Sequence, residues 1–148
     1  VRTDNIAEYK IFPRVIALAE RAWHQASWAV PYDYLGAKYS RTSQVFSEQM
    51  KAERDRAWRL FANTLGQKEL AKLDVFDVIY RLPTVGAKIT DGKLYANSAF
   101  PGLAIEYRQD DGPWQLYHQP VVVSGKVKVR SLTSDKRRKG RTMTVDEQ

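Results

Sequence analysis

Four aromatic side chains in the second half of the chain, Tyr95, Tyr107, Trp114 and Tyr117, have the right chemistry to meet a ligand. Flat rings can stack on the apolar faces of sugars, provided that at least two lie coplanar and exposed. Alternation argues for a different use. Tyr107 shares a strand face with Leu103 and Ile105, and Trp114 with Leu116, so both are expected in a core. For Tyr95 and Tyr117 the pattern decides less.

The second candidate is electrostatic. The chain carries 24 Lys and Arg against 17 Asp and Glu, a formal charge of +7. Much of the excess sits near the end: Lys126, Lys128 and Arg130 on one strand face, then Lys136, Arg137, Arg138, Lys139 and Arg141. Such a set can hold a polyanion. The plainer use is a solvated hairpin tip beside an exposed strand face, where lysines also discourage edge-to-edge aggregation. No aromatic alternates with these charges, as a single-strand nucleic-acid groove requires, so no nucleic-acid partner is expected.

Other chemistry is sparse. There is no Cys, which excludes disulfides, thiolate catalysis and Cys-based zinc sites. The two His, His24 and His118, lack metal-ligand spacing, and His24 suits a helix C-terminus. Asp110-Asp111-Gly112 lacks the spacing of a helix–loop–helix calcium site and is expected to be a turn. No catalytic, cofactor-binding or metal residue is therefore assigned.

The elements that position these residues follow from periodicity. Phe12, Ile16, Ala19 and Trp23 recur at helical spacing, with Pro13 at the first helical position and Thr3 or Asp4 capping a segment before it. Ser27 to Gly36 reads as an aromatic-bearing loop. Ser43 can cap a long helix with Phe46, Met50, Ala57, Phe61 and Leu65 on one face, Trp58 at its edge, and Gly66 as its left-handed stop. Glu69 to Leu73 makes a short helix. From Val75 the apolar period drops to two, and strands are expected at Val75–Tyr80, on either side of Asp91-Gly92, at Gly102–Arg108, from Trp114, around Val121–Val129 and at Arg141–Val145. The expected fold is α+β: a helical segment over residues 1–73, then an immunoglobulin-like antiparallel β-sandwich over 74–148. No apolar run approaches the ~20 residues of a membrane span.

The helix Phe12-Pro-Arg-Val-Ile-Ala-Leu-Ala-Glu-Arg-Ala-Trp23 closely resembles the last barrel helix of the bacterial chitobiases, the β-N-acetylhexosaminidases of glycoside hydrolase family 20. Ala57–Gly66 and Glu69–Asp74 resemble the segment after that barrel. Tyr80–Pro83, Gly86–Asn97 and Phe100–Tyr107 resemble the C-terminal immunoglobulin-like domain. Val85 departs from the pattern, which tends to have proline there.

The resemblance implies that the chain begins where a TIM-barrel catalytic domain is nearly complete. The opening at Val1 accordingly reads as a cut. The parent would remove terminal N-acetylglucosamine from chitobiose and chitin oligosaccharides without a cofactor, in the periplasm, at the outer membrane or outside a bacterium. Its chemistry needs an adjacent Asp-Glu pair, the substrate's own acetamido group being the nucleophile. The only such dipeptide here, Asp146-Glu147, stands at a chain end with no barrel strand before it, so the isolated chain is expected to be inactive. Its partners would be the rest of the barrel, upstream of Val1, and the parent's oligosaccharides. Alone it would expose apolar surface around Ile16 and Trp23 or hide it by self-association. The alternative function is a non-catalytic carbohydrate-binding sandwich.

Overall fold

The computed structural model describes residues 3–30, 33–36 and 43–146. Helix α1 spans Asp4–Ile11, and the Thr3 hydroxyl accepts from the Ile6 N–H at 3.3 Å. Helix α2 spans Arg14–Trp23 and closes on His24. Pro13 occupies its cap position rather than its first turn. Phe12, disfavoured from helical geometry by the proline after it, is extended and directs its carbonyl to the Arg81 N–H at 3.1 Å.

Helix α3 spans Glu48–Thr64. Its cap is Ser47, whose hydroxyl accepts from the Met50 N–H at 3.2 Å, and not Ser43. Nor does Gly66 stop it. The chain passes through a wider π turn, Leu65–Glu69, into α4, Leu70–Val75, and Gly66 has no positive φ. A carbon added at Gly66 would lie 2.0 Å from the Pro101 carbonyl oxygen, so close approach is what calls for glycine there.

The strand expected at Val75–Tyr80 does not form. Val75 ends α4, and the following segment gives its N–H groups to the helices: Val78 to the Leu73 carbonyl at 2.9 Å and Ile79 to the Glu8 carboxylate at 2.7 Å. Of its apolar residues Tyr80 is buried between helices and sandwich and Val78 and Ile79 are half-buried, whereas Val75 and Phe76 are exposed.

The sandwich follows: β1 Gly86–Thr90, β2 Lys93–Asn97, β3 Ile105–Gln109, β4 Gln115–Tyr117, β5 Val121–Val122, β6 Val127–Ser131 and β7 Met143–Val145. Asp91 and Gly92 turn β1 into β2 with φ of 51° and 66°, as the hairpin signal predicts. The last strand begins at Met143, two residues later than expected. Two antiparallel sheets result, ordered β1-β2-β5 and β4-β3-β6-β7.

Two apolar cores hold the chain. The first lies between the sheets and is built from Val85, Ile89, Leu94, Ile105, Tyr107, Val123, Val127, Val129 and Val145. The second joins the helices to the sandwich. Leu65, Leu70, Tyr80 and Leu103 form its centre, with Phe12, Ile16 and Phe61 packed against it.

Candidate functional site

The most interconnected polar group in the described residues sits on that second core. Asp74 is buried at the end of α4. Its carboxylate accepts from the Tyr80 hydroxyl, the Ser134 N–H and the Arg138 guanidinium, each at 3.1 Å. Arg138 also donates to the Tyr80 carbonyl at 3.1 Å and lies 4.4 Å over the Tyr80 ring. Burial, then the charge of Asp74, holds the Tyr80 phenol above the usual tyrosine range. The basic turn is thus not a free hairpin tip. Arg138 locks it to the helices, and Arg137 pairs with Asp135 and reaches Asp77 at 3.5 Å. A carboxylate on one element and an arginine 64 positions away cannot be matched from sequence alone.

The turn carries a pH dependence. The Thr133 hydroxyl, ahead of the Arg137 contacts, lowers the Asp135 carboxyl from its ordinary 3.8 to about 2. Because the folded value lies below the unfolded one, the stabilisation is complete above pH 3.8 and is lost as pH falls towards 2. Thr133→Val should bring the Asp135 titration, followed by carboxyl NMR, back towards 3.8. An unmoved midpoint would leave the arginine as the cause.

The aromatic candidates do not converge. Tyr107 is in the core, as expected, and its hydroxyl donates to Gln115 at 3.0 Å. Trp114 and Leu116 are not in it. Tyr107 pairs with Gln115 and Ile105 with Tyr117, so the odd positions of β4 face inward and Trp114 and Leu116 face outward. Leu116 is exposed, while Trp114 lies beneath two guanidiniums, Arg130 at 3.8 Å and Arg108 at 5.0 Å from the ring centre. Tyr117 turns inward, edge-on to Tyr107 with ring centres 6.4 Å apart, and bridges the sheets. Its oxygen accepts the Ala96 N–H at 3.0 Å, beyond the point where short β5 stops pairing with β2. Tyr95, with Lys88 beside its ring, is the exposed one of the four.

Asp110 is a structural residue. Its carboxylate accepts the Lys126 N–H at 2.9 Å and fills the space a side chain on Gly125 would need. No group of three metal-ligating side chains occurs among the described residues. Asp146 is exposed after β7, and Glu147 lies outside the described residues, as do Pro31 and Tyr32 of the aromatic-bearing loop.

Between α2 and α3 runs a groove of about 830 Å³, lined by Ala17, Arg21, Trp28, Glu53, Trp58 and Phe61 among others. Ser27 and Gln49 donate to Glu53 at 2.7 and 2.9 Å and lower its pKa, Ser27 having the larger effect. Arg21 covers the Trp28 ring at 4.7 Å, and the Trp28 N–H is buried without a partner among the described residues. The stripe on α2 is divided. Phe12 and Ile16 are covered by the second core, whereas Ala19 is exposed and Trp23 is 94% exposed. No described helix is long and apolar enough to cross a membrane.

Helices sealed through a buried ion pair onto a two-sheet sandwich define a helix-braced β domain among the described residues. The chain belongs to the chitobiase/beta-hexosaminidase C-terminal domain family, whose model matches residues 69–142. It is 42% identical over 147 residues to the N,N'-diacetylchitobiase of Vibrio harveyi, covering 98% of this chain and 16% of that protein. It is 40% identical over 154 residues to a beta-hexosaminidase of Vibrio vulnificus, covering 98% of this chain and 18% of that protein. Beta-hexosaminidase B of Pseudoalteromonas piscicida matches at 46% over 66 residues. The chain therefore spans about a sixth of the length of the first two relatives.

Proposed function

We propose that residues 1–148 are the C-terminal part of a β-N-acetylhexosaminidase, contributing structure to an active site built elsewhere in the polypeptide. The observation that carries this is the nearly end-to-end match to a small share of much longer glycosidases. Residues 1–73 would belong to the wall of the catalytic barrel and 74–148 to an immunoglobulin-like sandwich bracing it. The wiring supports that type: lettered A, B, C, C′, E, F and G in order, the strands form sheets A-B-E and C′-C-F-G. The second apolar core and the Asp74–Arg138 pair would transmit the brace.

The parent would release terminal N-acetylglucosamine from chitobiose and chitin oligosaccharides with retention. A glutamate would act as general acid/base and an aspartate would orient the substrate's acetamido nucleophile. The enzyme would work in the periplasm, at the outer membrane or outside the cell. With Tyr95 alone exposed among the four rings, the carbohydrate-binding module lacks the coplanar pair that it requires.

The test compares the full polypeptide with residues 1–148 on chitobiose. Hydrolysis by the first and none by the second is expected. Turnover by residues 1–148, or its absence from a folded full polypeptide, would overturn the proposal.

A further inference from the structure

The outer face of the four-stranded sheet carries charge that its own fold does not balance. Arg108 on β3 and Lys128 on β6 stand directly opposite each other, and Thr144 on β7 continues the row. In the next row Glu106 faces Arg130 and pairs with it. Like charges opposite each other in a ladder repel, so this pairing works against the sheet unless something compensates. Among the described residues Lys128 makes no ion pair. The Arg108 guanidinium has only Asp111, 3.9 Å away and 97% exposed, and its Nε is buried without an acceptor. Trp114 lies against both arginines and restrains Arg108, which lowers the entropy cost of presenting its N–H groups to a ligand, while Arg130 stays with Glu106. By contrast, Arg137 and Arg138 of the more basic turn are already held by carboxylates.

We infer that this face, through Arg108 and Lys128, binds an oxyanion: a carboxylate, sulfate or phosphate, either free or carried on a polymer. Guanidiniums suit the planar or tetrahedral oxygens of such groups, and the ammonium adds a point charge. With its ring against the arginines, Trp114 orders the site and is not a platform for an uncharged sugar.

Equilibrium dialysis of labelled sulfate against the full polypeptide, with chloride holding ionic strength constant, tests this. Saturable binding of one sulfate per chain is expected. Lys128→Met should weaken it about tenfold or more, while Lys93→Met, the same change on the other sheet, leaves it intact. Thr144→Glu places a carboxylate beside Lys128. It should abolish sulfate binding and raise the unfolding midpoint, which a variant that merely misfolds would not do. A sulfated or uronate polymer that displaces the label at group concentrations about a hundredfold lower assigns the anion to a polymer, and equal displacement assigns it to the free ion. Absence of saturation below roughly 50 mM sulfate, or equal weakening by Lys93→Met, overturns the inference.

Discussion

Asp74→Ala should destabilise the chain by about 3 kcal/mol, because it strands a cation and a phenol on a buried seam. The Asp74 side chain is 5% exposed and accepts from three donors on two other segments. Without it, the Ser134 N–H loses its acceptor, the Tyr80 hydroxyl is left among apolar neighbours, and Arg138 keeps the Tyr80 carbonyl and ring. Those remaining contacts, with Arg138 30% exposed, place the loss at the lower end of the range for a broken buried pair. Arg138→Met should cost less, since its removal leaves Asp74 with two donors. The double variant should fall short of the sum by about 1 kcal/mol or more, the sign of direct coupling. Urea unfolding of the three variants checks this. Additivity would show that water replaces each partner and that the seam rests on Leu65, Leu70 and Leu103 alone.

Local physics made much of the fold legible. The Thr3 cap, the Asp91-Gly92 hairpin and the inward set Ile105, Tyr107, Val127 and Val129 depend on neighbours within a few residues or on strict alternation. What escaped depends on register or on distant contact. Trp114 and Leu116 alternate as well as any core pair, and only the pairing of Gln115 with Tyr107 turns them outward. Val75–Tyr80 has the composition of a strand, yet only Tyr80 in it is buried, and the Val78 and Ile79 N–H groups are taken by helices earlier in the chain. Asp74 marked the end of the helical half, but its partner at Arg138 lay inside a run that reads as solvated surface. The groove between α2 and α3, and the exposure of Trp23 beside it, reflect apolar surface that α3 only partly covers.

Gly66→Ala sets two rules against each other. Helix propensity alone favours alanine over glycine inside a helical run by about 1 kcal/mol. Packing opposes it. The added carbon would sit 2.0 Å from the Pro101 carbonyl oxygen and 2.9 Å from the Phe100 carbonyl carbon, both backbone atoms that cannot rotate away. The contact is tight from both sides. Gly102, at φ +99°, would place a side-chain carbon 3.0 Å from the Gln67 Cα. To admit alanine, the Phe100–Leu103 segment must move off the π turn, and Leu103 would leave the core it shares with Leu65, Leu70 and Tyr80. Overpacking of this kind costs up to about 3 kcal/mol, so the net effect should be destabilising by up to about 2 kcal/mol. A fall in the urea midpoint at unchanged m-value is the expected result. A rise would mean that the π turn relaxes into regular helix and that propensity, not the meeting of the two glycine-bearing segments, governs this junction.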